Sequence, residues 1–148
     1  MSVKLGDEMY LYYCAAGIGG SPAWTLLAIV KDVKMNTSKG EVDVTTRASG
    51  GWKRVIGALK EASIDFEMPW DTENAGLGVV RDAFFDDTAL GLAVMDGPID
   101  QAGSEGLWAD CVILKFDRNE PLAQDATVSV TAKPTYSATV PGWKVIGE

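Results

Sequence analysis

From Ala62 to Trp70 the chain alternates without a fault: Ala62, Ile64, Phe66, Met68 and Trp70 fall on one side of an extended backbone, and Ser63, Asp65 and Glu67 on the other. That period of two marks a strand with one packed face and one wet, acidic face. Residues 40–47 repeat the pattern more weakly, Val42, Val44 and Thr46 against Glu41, Asp43, Thr45 and Arg47, until Ser49-Gly50-Gly51 interrupts it with a flexible run that tolerates positive φ. Between the two strand-like pieces lies Trp52-Lys53-Arg54, basic and aromatic on an otherwise acidic chain. A tryptophan flanked by cations on a glycine-hinged loop suits a contact surface better than a reaction centre.

The remaining pattern predicts more strands and one helix. Met9 to Cys14 is an aromatic-rich strand closed by the turn Gly17 to Pro22; Trp24 to Asn36 is a long strand, with Ile29, Val33 and Met35 alternating against Val30, Asp32, Lys34 and Asn36, and Lys31 marking a bend or bulge. Thr37-Ser38-Lys39-Gly40 is a turn. A helix is predicted from Asp71 or Thr72, as N-cap, to about Asp86, its stripe formed by Leu77, Val80 and Ala83 or Phe84 and weakened by Gly76 and Gly78. Strands follow over Ala89–Asp96, Leu107–Phe116, which is apolar on both faces, and Ala126–Lys133, where Val128, Val130 and Ala132 oppose Thr127, Ser129 and Thr131. The tail from Val140 to Ile146 carries an apolar cluster. The fold class is therefore mainly β, a β-sandwich or partly open barrel with one flanking α-helix, in a single domain over residues 1–148 with neither repeat nor linker.

Composition narrows the function by exclusion. With no histidine, triads built on histidine and the usual catalytic zinc sites are ruled out. A formal net charge of −8 argues against an affinity surface for nucleic acid, which needs Lys and Arg to neutralise phosphate. No apolar run approaches the ~18 residues of a membrane span, and the start Met-Ser-Val-Lys-Leu-Gly-Asp lacks the layout of a secretory signal, so the expectation is a protein that works where it is made or leaves by lysis. Cys14 and Cys111 are expected as two reduced core thiols. The glycines of residues 17–20 fail as a dinucleotide fingerprint because Pro22 stands where the last glycine belongs, and Ala75 spoils the faint calcium-loop pattern from Asp71. Carboxylate pairs are the only catalytic candidates: Asp65 with Glu67, Asp71 with Glu73, Asp96 with Asp100. Alternate acids on a solvated strand produce such pairs without any function, so no catalytic, metal or cofactor site is assigned.

Several stretches in order resemble the major tail tube proteins of long-tailed bacteriophages and prophages: Lys31-Asp32-Val33, Gly40 to Arg47 with Gly51-Trp52, Ala62 to Thr72, Ala93 to Gly97, Arg118 with Glu120-Pro121-Leu122, and Thr127 to Tyr136. The resemblance implies a β-sandwich with one helix that closes into a homo-hexameric ring, and rings that stack, with other tail proteins, into a hollow tube. It places the protein in the virion tail, assembled in the bacterial host cytoplasm, with no cofactor and no membrane. It further implies that residues of about 37–60 form an extended loop, or arm, reaching a neighbouring subunit or ring through Thr45, Arg47, Trp52, Lys53 and Arg54. Asp65, Glu67, Thr127, Ser129 and Thr131 become candidates for the lumen wall, along which DNA slides without specific binding because carboxylates repel phosphate. The rival expectation is a small carboxylate-based hydrolase or ligand-binding β-barrel.

Overall fold

In the computed structural model, which describes residues 9–19, 22–27, 30–120, 122, 126–135 and 137–147, the elements follow in the order β1 (Tyr10–Cys14), β2 (Thr25–Leu26), β3 (Asp32–Asp43), β4 (Val55–Pro69), α1 (Ala75–Phe85), β5 (Leu90–Met95), β6 (Glu105–Asn119), β7 (Thr127–Pro134) and β8 (Gly142–Val145). The chain is mainly β with one flanking helix. All strands join one curled, antiparallel sheet in the order β2-β1-β5-β6-β7-β4-β3, with β8 added to β6. The corner is β6. Its first half pairs with β5 as far as Cys111, its second half pairs with β7 from Cys111 to Asn119, and a register shift between Ile113 and Lys115 bends it between the two tasks. Of the two forms expected, the partly open barrel describes this sheet.

The core lies between the concave side of the sheet and α1. Ile64, Phe66 and Met68 of β4, Val128, Val130 and Ala132 of β7, and Ala109, Cys111 and Ile113 of β6 point into it, and Leu77, Val80 and Ala83 close it from the helix. Each large apolar side chain so buried contributes roughly 1.5–3 kcal/mol. A smaller cluster of Tyr12, Ala93 and Met95, packed with Trp24 and Trp108, covers the other face near β1 and β5, so that half of the sheet is sealed on both sides. The β3-β4-β7 half is not, and its second face is polar. Cys14 and Cys111 are both buried free thiols. Buried Asp110 accepts the Ile18 N–H at 2.8 Å and the Ser137 hydroxyl, tying the loop after β1 to the segment after β7.

Three local expectations are corrected. The strand predicted over 24–36 is divided: β2 ends at Leu26 and β3 begins at Asp32, with Leu27 buried between them; Ile29, like Gly20, Ser21, Pro121 and Tyr136, lies outside the described residues. Thr37 to Gly40 is no turn. It has turn composition, but β3 runs through it because Thr37, Ser38 and Lys39 pair with Ala62, Glu61 and Lys60, a non-local ladder that outweighs the local preference. The helix N-cap is Asn74, whose Oδ1 accepts the Gly76 N–H at 2.8 Å. Asp71 instead closes its own turn, accepting the Glu73 N–H at 3.0 Å.

Candidate functional site

Two surfaces, one continuing the other along β3 and β4, carry the residues singled out in the sequence. The first is the outer part of the β3–β4 hairpin. Residues 37–60, expected as an extended loop, are a two-stranded ribbon to Asp43 and from Val55, joined by a short tip. Its register carries one irregularity: Lys39 pairs with Lys60 but Glu41 with Gly57, so Ala58 and Leu59 together oppose Gly40. One surplus residue reverses the facing of everything beyond it on that strand. Below the bulge the even positions Ile64, Phe66 and Met68 turn to the core; above it Ile56 sits beside Val42 on the opposite face, and both are about half exposed, at 54% and 47%.

The tip is built from side chain to backbone hydrogen bonds. Asp43 Oδ1 accepts the Thr45 N–H at 2.8 Å, Thr45 Oγ1 accepts the Arg54 N–H at 2.8 Å, and Ser49 Oγ accepts the Thr46 N–H at 3.0 Å. Bonding from Thr45, side chain and N–H, holds the Asp43 carboxyl below its ordinary value. A 3-10 turn over Arg47–Ser49 follows, and Gly50, at φ 66°, ends it in the left-handed region that favours glycine. Thr45 thus works inside the tip, and Arg47, Trp52, Lys53 and Arg54 stand in solvent, Trp52 at 76% exposure. Lys53 comes only to 4.0 Å from Glu41.

The second surface is the polar face of β3, β4, β7 and β6. Asp65 stands across from Thr131, Glu67 from Ser129, and Pro69 from Thr127, so all five lumen candidates share one half-buried face, opposite Ile64, Phe66, Val128 and Val130. The Thr131 hydroxyl donates to Asp65 Oδ1 at 2.7 Å, and the Asn36 amide donates to Asp65 Oδ2 at 3.4 Å. The flanking strands add what sequence reasoning missed. Lys34 lies across from Asp65 and Asp32 across from Glu67; on the other side Lys115 lies across from Thr131 and Asp117 from Ser129, with Lys115 and Asp117 joined at 3.3 Å. The face is charged in alternation rather than uniformly acidic. Parity within β3 placed Lys34 and Asp32 on one side; that this side adjoins Asp65 follows only from the pairing.

The other carboxylate pairs bring no reaction centre together. Asp71 serves its turn, Asp96 Oδ1 accepts the Glu105 N–H at 2.8 Å, and among the described residues no cluster of three or more His, Cys, Asp or Glu is arranged to hold a metal ion. Among the described residues no helix is long and apolar enough to cross a membrane.

A family model described as phage tail tube protein matches residues 9–135. Among solved structures, the chain is similar to the tail of an empty gene transfer agent particle refined with C6 symmetry, at 18% identity and a TM-score of 0.74, covering 97% of this chain and 100% of that one. It is also similar to the tail tube of SPP1, at 10% identity and a TM-score of 0.67, over 88% of this chain and 75% of that one. A third likeness is to the baseplate of the anti-feeding prophage, at 5% identity and a TM-score of 0.65, over 100% of this chain and 99% of that one. At such identities these three are likenesses of fold. No curated protein sequence matches.

Proposed function

The chain belongs to the phage tail tube protein family, and from that premise we propose that six copies close into a ring, that rings stack into a hollow tube with other tail proteins at its ends, and that the genome leaves through the bore. The number six rests on the C6 symmetry of the similar gene transfer agent tail. The observation that carries the reading is a pair of surfaces unpartnered among the described residues: the exposed arm of the β3–β4 hairpin, and the polar face of β3, β4, β7 and β6. A lone molecule has no use for either. The arm, residues 37–60 with Arg47, Trp52, Lys53 and Arg54 outward, reaches a neighbouring subunit. Asp65, Glu67, Thr127, Ser129 and Thr131 line the bore.

The wall works by alternation. Two of its lysines, Lys34 and Lys115, stand beside a carboxylate, Asp65 and Asp117, and the third, Lys133, lies at the far end of β7 across from Val112. A sliding phosphate therefore meets no continuous basic stripe, and counterion release, the source of non-specific affinity for DNA, has little to act on. The protein has no turnover in this reading. Negative-stain microscopy at raised concentration tests it: rings or tubes are expected, and a protein that stays monomeric with the other tail proteins of its particle present overturns it.

A further inference from the structure

The place on a neighbouring copy that receives the arm can be read from the opposite end of the molecule. There the last turn of α1 and the outer half of β6 form a run of aromatic rings. Phe84 stacks on Phe116 at 6.2 Å with the planes 26° apart, Phe85 meets Phe84 edge-on at 5.0 Å, and Phe116 meets Trp70 at 6.5 Å. The inner rings are half-buried and Phe85 is 67% exposed. Immediately after it come Asp86 and Asp87, both exposed, Asp87 at φ 55°. Two carboxylates at a helix C-terminus oppose the helix dipole, and among the described residues neither lies within ion-pair distance of a cation. An exposed ring beside two uncompensated acids is a surface shaped for an aromatic and cationic partner.

The arm tip has that composition. Trp52 is its exposed ring, and Arg47 and Arg54 are cations with no carboxylate in ion-pair distance among the described residues. Tip and patch cannot meet within one copy. Phe116 lies beside Val130 and Val130 beside Phe66, and Val55, where the tip begins, is eleven residues further along the same strand as Phe66, roughly 35 Å at the rise of an antiparallel strand. Complementary surfaces at opposite ends of one body make a head-to-tail contact, which repeats along an axis when its rotation does not close into a ring.

Resting on the tube reading, we infer that the arm tip of one copy docks on the α1 end of a copy in the adjacent ring, with Trp52 against Phe85, and Arg47 and Arg54 against Asp86 and Asp87. Photoreactive benzoylphenylalanine in place of Trp52 in assembled tubes is expected to label peptide 82–87 of another copy; labelling confined to other segments overturns the docking. Arg47→Glu with Arg54→Glu, and separately Asp86→Lys with Asp87→Lys, are each expected to raise the concentration needed for assembly about tenfold, and the four changes together to restore it. Should the lysine variant fail to fold, Asp86→Asn with Asp87→Asn, which suits the left-handed backbone, replaces it with a smaller rise expected. Aspartate variants that fold and assemble like the parent overturn the docking and leave the tube standing. A parent chain that never assembles overturns the tube reading itself.

Discussion

Two glycines of α1 should respond in opposite ways to the same substitution, because the space around them differs. A Cβ built on Gly78 meets only Arg81 Nη2, at 3.8 Å, an ordinary contact. One built on Gly76 falls 2.3 Å from Leu27 Cδ1, 3.0 Å from Asn74 Oδ1 and 3.1 Å from Tyr13 Cε1, and Leu27 is itself only 2% exposed. Glycine in a helix costs roughly 0.8–1.0 kcal/mol relative to alanine, so Gly78→Ala is expected to stabilise the monomer by about that amount. Gly76→Ala gains part of it, less because the site lies in the first turn, and loses about 1–3 kcal/mol to overpacking against Leu27 and Tyr13. The net is about 0–2 kcal/mol of destabilisation. At roughly 2–4 °C per kcal/mol for a chain of this size, the two variants should melt about 3–10 °C apart, Gly78→Ala the higher, when far-ultraviolet circular dichroism is followed at equal concentration. A Gly76→Ala melt at or above that of Gly78→Ala would refute the claim that helix and sheet approach here as closely as a glycine allows. The consequence reaches function, since α1 carries the Phe85 end on which the arm is inferred to dock.

Other outcomes follow from the same structure. Asp65→Asn with Glu67→Gln leaves Lys34 and Lys115 facing fewer carboxylates, so tubes should still form but release DNA more slowly in a triggered ejection assay; unaltered release would remove these two residues from the bore. Burial, helped by the neighbouring Asp110 carboxylate, pushes the Cys111 thiol up to about 12 from an ordinary 9.0. A folded value above the unfolded one gives stability that is complete below pH 9 and is lost as pH rises toward 12, so denaturant midpoints should fall over that window in the parent and less in Cys111→Ala; an equal fall in both would count against the assignment. Deleting Leu59 removes the surplus residue opposite Gly40, regularises the ladder and re-aims the arm: the monomer should keep its unfolding free energy within about 0.5 kcal/mol, the usual range for surface changes, while tube formation is lost. Retained assembly would show that the aim of the arm does not matter.

How far the sequence could be read varied with the range of the forces involved. Ala62 to Trp70 and Thr127 to Lys133 were legible because one sheet face is buried and the other wet, and burial writes its period directly into the residue order. The helix stripe Leu77, Val80, Ala83 was legible for the same reason. The ribbon was not. Every residue from 36 to 48 is exposed, so no packing constrains the alternation there, and Thr37 to Gly40 could satisfy a turn as well as a strand. Local chemistry also has near-degenerate choices: Asp71, Thr72 and Asn74 are all good caps, and the one that caps is selected by where β4 releases the chain after Pro69. As for the candidate surfaces, parity told which side chains share a face, Lys133 with Thr131 among them, while Lys34 and Lys115, which interrupt the acidic wall beside Asp65 and Thr131, come from β3 and β6, whose adjacency to β4 and β7 is a matter of topology.

The bulge in β4 explains how one strand can serve a core and an arm at once. A strand that kept strict alternation from Pro69 to Val55 would turn Ile56 toward the same side as Ile64, Phe66 and Met68, where above the body there is no core to receive it. The residue inserted opposite Gly40 moves Ile56 to the side of Val42, the side on which the polar face lies lower down. The ribbon therefore shows its apolar pair, Val42 and Ile56, on the continuation of the face that carries Lys34, Asp65 and Thr131. Exposed apolar residues on a free two-stranded edge are a hazard in a monomer, and they are kept here by a register change that a single deletion would undo. A liability built in that way is consistent with a surface that is covered in the working state by another copy.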